Sequence, residues 1–118
     1  MADASPPESL SVPMKGLVGL GVEYWRLSQW LEENPSAGSA PARHALRRLD
    51  DFLRECELEV RGMDGRPFDP GLAVRVVDTI DDPAMPDGQA VIAETMAPMI
   101  LWRGQVVKPA DVVVKRKG

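Results

Sequence analysis

The side chains able to do chemistry are few in this chain. It carries one histidine, His44, and one cysteine, Cys56. A nucleophile and its base must lie within hydrogen-bond reach of each other. These two fall in one run of helical periodicity, twelve residues apart. At ~1.5 Å of rise per residue that separates them by about 18 Å, so they form no dyad within the chain. One His and one Cys also make no zinc site unless several carboxylates converge on them. Acidic residues offer the next candidate, with Asp78, Asp81, Asp82 and Asp87 crowding a Pro/Gly-rich turn. EF-hand spacing, its central glycine and its closing bidentate glutamate are missing there. Aspartates beside Pro and Gly more commonly cap turns. Gly16, Gly19 and Gly21 invite comparison with phosphate-cradling loops. No strand precedes them, however, the order is GxxGxG, and no Gly-Lys-Ser/Thr follows. A glycine inside a helix costs up to ~1 kcal/mol against alanine, which points instead to close helix–helix approach. No nucleophile elbow or paired-carboxylate signature stands out. The sequence predicts a protein that binds rather than catalyses, with no metal and no cofactor.

Composition narrows the partner. The net charge of −4 argues against nucleic acid, and the basic tail Lys115-Arg116-Lys117 is too short to reverse that. A single cysteine excludes an internal disulfide and suits a reducing, cytoplasmic setting. No apolar run approaches membrane-spanning length, and the N-terminus lacks the basic and apolar regions of a signal peptide. Residues 1–13, rich in Ser, Pro and acid, read as a disordered leader.

The elements that would position a binding surface follow from periodicity. Leu17, Leu20, Tyr24, Leu27 and Leu31 recur at helical spacing and predict a helix over Met14–Glu33. Val18, Val22 and Trp25 form a second apolar patch beside that stripe. An arc so wide needs two partners: a second helix on one side and a second copy of the chain on the other. Asn34-Pro35 breaks the helix, and Pro41 suits the first turn of a second one, Ala42–Glu57. Its expected core face is Ala45, Leu49, Phe52 and Cys56, flanked by Leu46 and Leu53. Residues 14–59 thus form a helical, dimerising segment, and residues 60–118 a β domain. The stretch Val60–Pro70, VRGMDGRPFDP, joins the two. Gly62 and Gly65 supply turn backbone there, Pro67 fixes φ, and Phe68 is the one large apolar group, so Gly65, Pro67 and Phe68 are the expected hinge. Short strands are expected over Leu72–Ile80, Gln89–Met96, Met99–Arg103, Gln105–Val107 and Ala110–Lys115. The fold class is α+β: a two-helix hairpin, then a small, mostly antiparallel sheet or barrel.

Taken together, GRPFDPGLAVRVVDTIDDPAMPDGQAV and GQVVKPADVVVKR resemble the C-terminal β domain of GrpE-type nucleotide exchange factors. That family shows a G-x-P-F-D-P entry, an acidic dipeptide before a Pro/Gly turn and valine, and a closing strand of the form R-V-I-R-P-A-x-V-x-V. The corresponding residues are Gly65–Pro70, Asp81-Asp82 with Pro86 to Val91, and Gln105–Val114. Two short helices broken near Asn-Pro also precede the β domain in that family. The resemblance implies a homodimer that binds the nucleotide-binding domain of a DnaK-type chaperone ATPase and promotes ADP release. Dimer contacts would come from Leu17, Leu20, Tyr24, Leu27 and Leu31. By position, Asp82, Met85, Met96, Gln105, Lys108 and Val114 would face the ATPase. The sequence departs from the family's pattern at Gln105, where an arginine is usual, at Asp111, where methionine is common, and in the long coiled coil the family places ahead of its short helices. These departures point to a specialised chaperone paralogue. The alternative is an adaptor or decoy of the same fold without exchange activity.

Overall fold

The computed structural model describes residues 7–118, and within them the chain is an α+β fold of two helices and six strands. Helix α1 spans Met14–Glu33, and Pro13 opens it: its carbonyl accepts from the N–H groups of Gly16 and Leu17, at 3.1 and 3.2 Å. Asn34 closes the helix by donating its backbone N–H and its side-chain amide to the Trp30 carbonyl, at 3.0 and 2.9 Å. A single 3-10 turn, Pro35–Ala37, then reverses the chain. Helix α2 spans Ala40–Glu55, with Ser39 Oγ accepting from the Ala42 N–H at 3.3 Å and Pro41 in the first turn. It ends two residues earlier than expected, because Glu57 turns into the left-handed region (φ 63°) and a strand follows at once.

That strand, β1 (Leu58–Arg61), is absent from the sequence reading. After it come β2 (Val74–Asp81), β3 (Ala90–Ala97), β4 (Met99–Trp102), β5 (Gln105–Lys108) and β6 (Ala110–Arg116). They make two sheets of three strands each. The first has the order β1-β4-β5 and is antiparallel throughout. In the second, β6 lies between β3, antiparallel to it, and β2, which is parallel.

The first sheet is a middle layer. Side chains alternate along a strand, so Ile100 and Trp102 of β4 pack with Val22, Leu53 and Leu58 under the helices. Met99 and Leu101 point the other way and pack with Met63, Ile92 and Val112 against the second sheet. Helices, first sheet and second sheet therefore stack in that order. The first sheet, and not a helix, covers Val18 and Val22 of the second apolar patch of α1, while Trp25 lies toward β3. Gly21 marks the closest approach: a Cβ there would come within 3.1 Å of Ile100 Cδ1 and 3.3 Å of Val60 Cγ2. Gly16 and Gly19 have no neighbour within 4 Å, so the expectation of helix–helix contact at these glycines is replaced by helix-on-sheet contact at one of them. The same layer rotates α2. Leu53, expected at the flank, is its buried residue, while Ala45 and Phe52, expected in the core, are exposed.

The stretch after β1 is laced to β3. Met63 N–H donates to Thr95 Oγ1 at 2.8 Å, and Thr95 N–H donates to Asp64 Oδ1 at 2.7 Å. Gly65 N–H donates to the Ile92 carbonyl at 2.8 Å, Ile92 N–H to the Arg66 carbonyl at 2.9 Å, and Phe68 N–H to the Ala90 carbonyl at 2.9 Å. Gly65 takes φ 80°, a conformation that favours glycine. Pro67 bridges to Val91, and Phe68 packs half-buried on the core between the sheets. Gly65, Pro67 and Phe68, the expected hinge, thus form an added rung on β3. Leu20, Leu27 and Trp30 of α1 and Phe52 of α2 stay exposed outside the core.

Candidate partner interface

The residues with the most reactive chemistry stay apart. His44 is exposed on α2, while Cys56 is half-buried one residue beyond its end and packs with Leu53 and Leu58. The aspartates of β2 and of the loop after it are used locally. Asp78 Oδ1 accepts from the Thr79 N–H, and Asp82 Oδ1 from the Ala84 N–H, at 2.8 and 2.9 Å. Asp87 pairs with Lys117 at 3.0 Å, and Asp82 lies 3.6 Å from Lys115. Among the described residues no group of three His, Cys, Asp or Glu is placed to hold a metal ion. No helix among them is long and apolar enough to cross a membrane.

The six positions expected to face a partner do not form one patch. Val114 is in the core between the sheets, 3% exposed, because it shares a face of the central strand β6 with Ala110 and Val112 and packs there with Ile92. Asp82 and Met85 follow β2 at the Arg116 end of β6. Met96 and Lys108 lie near its Ala110 end, about 20 Å away at ~3.3 Å per strand residue. Lys108 Nζ donates to the Pro98 and Pro109 carbonyls, at 3.3 and 3.0 Å, in the two links that connect the sheets. Gln105 is exposed at the β4–β5 hairpin. That turn is Arg103-Gly104, with φ 51° and 78°, the pairing of two positive φ values that a two-residue hairpin of right-handed twist requires. Met96 is the most exposed apolar residue of the six, at 49%.

The helical face is more coherent. Leu20 and Leu27 of α1 lie exposed along one side of the hairpin, and Phe52 of α2 joins them at 43% exposure. Val12, Pro13, Gly16, Leu17, Leu20 and Phe52 line an apolar groove of about 290 Å³. Leu31 is withdrawn from this face, being 6% exposed, whereas Leu17 and Tyr24 are half-buried beside the buried cluster of Val22 and Leu53. Burial raises the Tyr24 phenol above its ordinary range, with Ser28 pulling it down and the Asp50 carboxylate pushing it up. The sequence reading missed Phe52 and Val12 as surface groups. Only the rotation of α2 on the first sheet exposes Phe52, and Val12 carried no periodic signal.

Comparison with protein-family models finds no match along this chain, and comparison with curated proteins finds none.

Proposed function

We propose that this chain is a GrpE-like nucleotide exchange factor that binds the nucleotide-binding domain of a DnaK-type chaperone ATPase and promotes ADP release. The observation that carries the reading is the ordered series of Gly65–Pro70, Asp81-Asp82 and Gln105–Val114, with two short helices and an Asn-Pro break ahead of it. In this reading the protein does no chemistry of its own. It binds the open cleft of the ATPase better than the closed one, and that difference in affinity shifts the population toward the state from which ADP escapes. It works in the cytoplasm, on a specialised ATPase.

The chain acts as a homodimer. Support comes from the exposed side of the helical hairpin, where Leu20, Leu27 and Phe52 present an apolar surface of the kind association covers. Light scattering at micromolar concentration should give twice the chain mass, and Leu20→Glu should return the monomer with the fold intact.

The deciding experiment loads a DnaK-type ATPase with fluorescent ADP and follows its release on adding the chain. Faster release at substoichiometric chain is the expected result. Binding without acceleration would leave the adaptor reading, and an absence of binding would sink both.

A further inference from the structure

A second surface lies on the opposite side of α1 from the apolar face. The C-terminal half of α1 and the strand β3 wall a cleft of about 320 Å³. Trp25 and Trp30 line it from the helix and Met96 from β3. Trp30 and Met96 are each 49% exposed and Trp25 is half-buried, so one indole and a thioether meet water beside a second, partly covered indole. Tryptophan set in a hollow of this kind is characteristic of binding hot spots.

The polar groups of the cleft are unevenly matched. Glu33, Asp64 and Glu94 line it against a single cation, Arg26. Arg26 spends part of its charge on Glu23, to which its guanidinium donates at 2.9 Å. Asp64 spends one oxygen on the Thr95 N–H. Glu33 and Glu94 take part in none of the ion pairs among the described residues. Aromatic faces, a polarisable sulfur and uncompensated carboxylates in one slot complement one kind of group: a long aliphatic stem ending in a cation. The indole faces attract the cation through their quadrupole, the stem covers the rings and Met96, and the carboxylates accept from the charged head.

We propose that this cleft is a docking site for a lysine or arginine side chain carried on a partner protein. The inference goes beyond the exchange reading, because it holds for any partner that presents such a side chain. Since one wall is α1 and the other β3, an occupant would also brace the helical layer against the second sheet.

The test titrates the full chain with a tetralysine peptide blocked at both ends, by calorimetry and by tryptophan emission. A peptide of the same length with its amines acetylated is the control. Saturable binding with a change in emission is expected for tetralysine and not for the acetylated peptide. Glu33→Gln with Glu94→Gln should weaken it at least tenfold, and Trp30→Ala should weaken it severalfold. Asp78→Asn with Asp81→Asn, the same change of charge away from the cleft, should leave it unaltered. Binding that falls equally with the distant pair would reduce the effect to net charge and overturn the site. So would equal binding of the acetylated peptide, or no saturable binding at millimolar peptide. If the Gln pair instead abolishes self-association of the chain and leaves peptide binding intact, the occupant is a second copy and the proposal fails.

Discussion

β4 and β2 both carry branched or bulky apolar residues, all four in β4 and four of eight in β2, and the fold treats them oppositely. β4 is buried at Met99 and Ile100 and half-buried at Leu101 and Trp102, with each face packed on a different layer. β2 leaves Val76, Val77 and Ile80 exposed. Place in the stack makes the difference: β4 lies between helices and second sheet, whereas β2 is an edge. The edge carries its own protection. A bulge interrupts its register between Val76 and Asp78, and Arg75 reaches across to Asp111 with two hydrogen bonds of 2.8 and 2.9 Å. Bulges and charges of this kind discourage a further strand from adding to an open edge. An apolar strand is therefore core only where a second layer arrives to cover it.

The sharpest way to break the contrast is Ile100→Ala. Ile100 is fully buried in the cluster that joins helices to first sheet, so the variant should lose about 2–5 kcal/mol in denaturant unfolding. Helix and sheet signals should fall together; helices that melt alone would show that the layers do not share a core. Thr95→Val comes next. It removes the acceptor of the Met63 N–H in a buried setting, and stranding that donor should cost about 1–3 kcal/mol. A cost near zero would mean the lacing of the joint to β3 is replaceable.

Tyr24 gives a smaller effect, at the seam between the helices. Its phenol is raised in the folded chain, chiefly by burial, so the folded chain holds that proton more tightly than the unfolded one. The stability this supplies is present below the ordinary tyrosine range, around pH 10, and is lost as pH rises through the raised value. Tyr24 is the one tyrosine, so phenolate absorbance reads it alone. Tyr24→Phe should flatten the alkaline loss of stability; an unchanged slope would assign that loss to other groups. Smallest of all is Val77→Thr on the exposed edge, expected to stay within about 0.5 kcal/mol of the parent. A larger loss would mean that something covers β2 in solution.

Much of the fold was legible because its punctuation is local. Pro13 and Asn34-Pro35 bound α1 where expected, and the β-branched runs placed five strands to within a few residues. β1 was not legible. It is short, it follows α2 without a proline or glycine, and Glu57 makes the turn in a conformation its residue type does not advertise. The candidate interface was legible in part. Leu20 and Leu27 were named from their spacing and are exposed, while Val114 looked the same in sequence as any alternating strand residue and is buried. The Trp25–Trp30 cleft had no signal, because its walls are over sixty residues apart in the chain.

By itself the sequence determined the elements of one-dimensional origin: helix ends, turn glycines, the alternation of the strands, and the spacing of His44 and Cys56 along the chain. These depend on neighbours in the chain and on backbone sterics alone. Which apolar face is inside was decided only when the first sheet slid between helices and second sheet. That layer buried Leu53 and Ile100, turned Phe52 outward, and left Trp30 and Met96 across an open cleft. Burial is a property of what arrives from elsewhere in the chain, and no local pattern carries it.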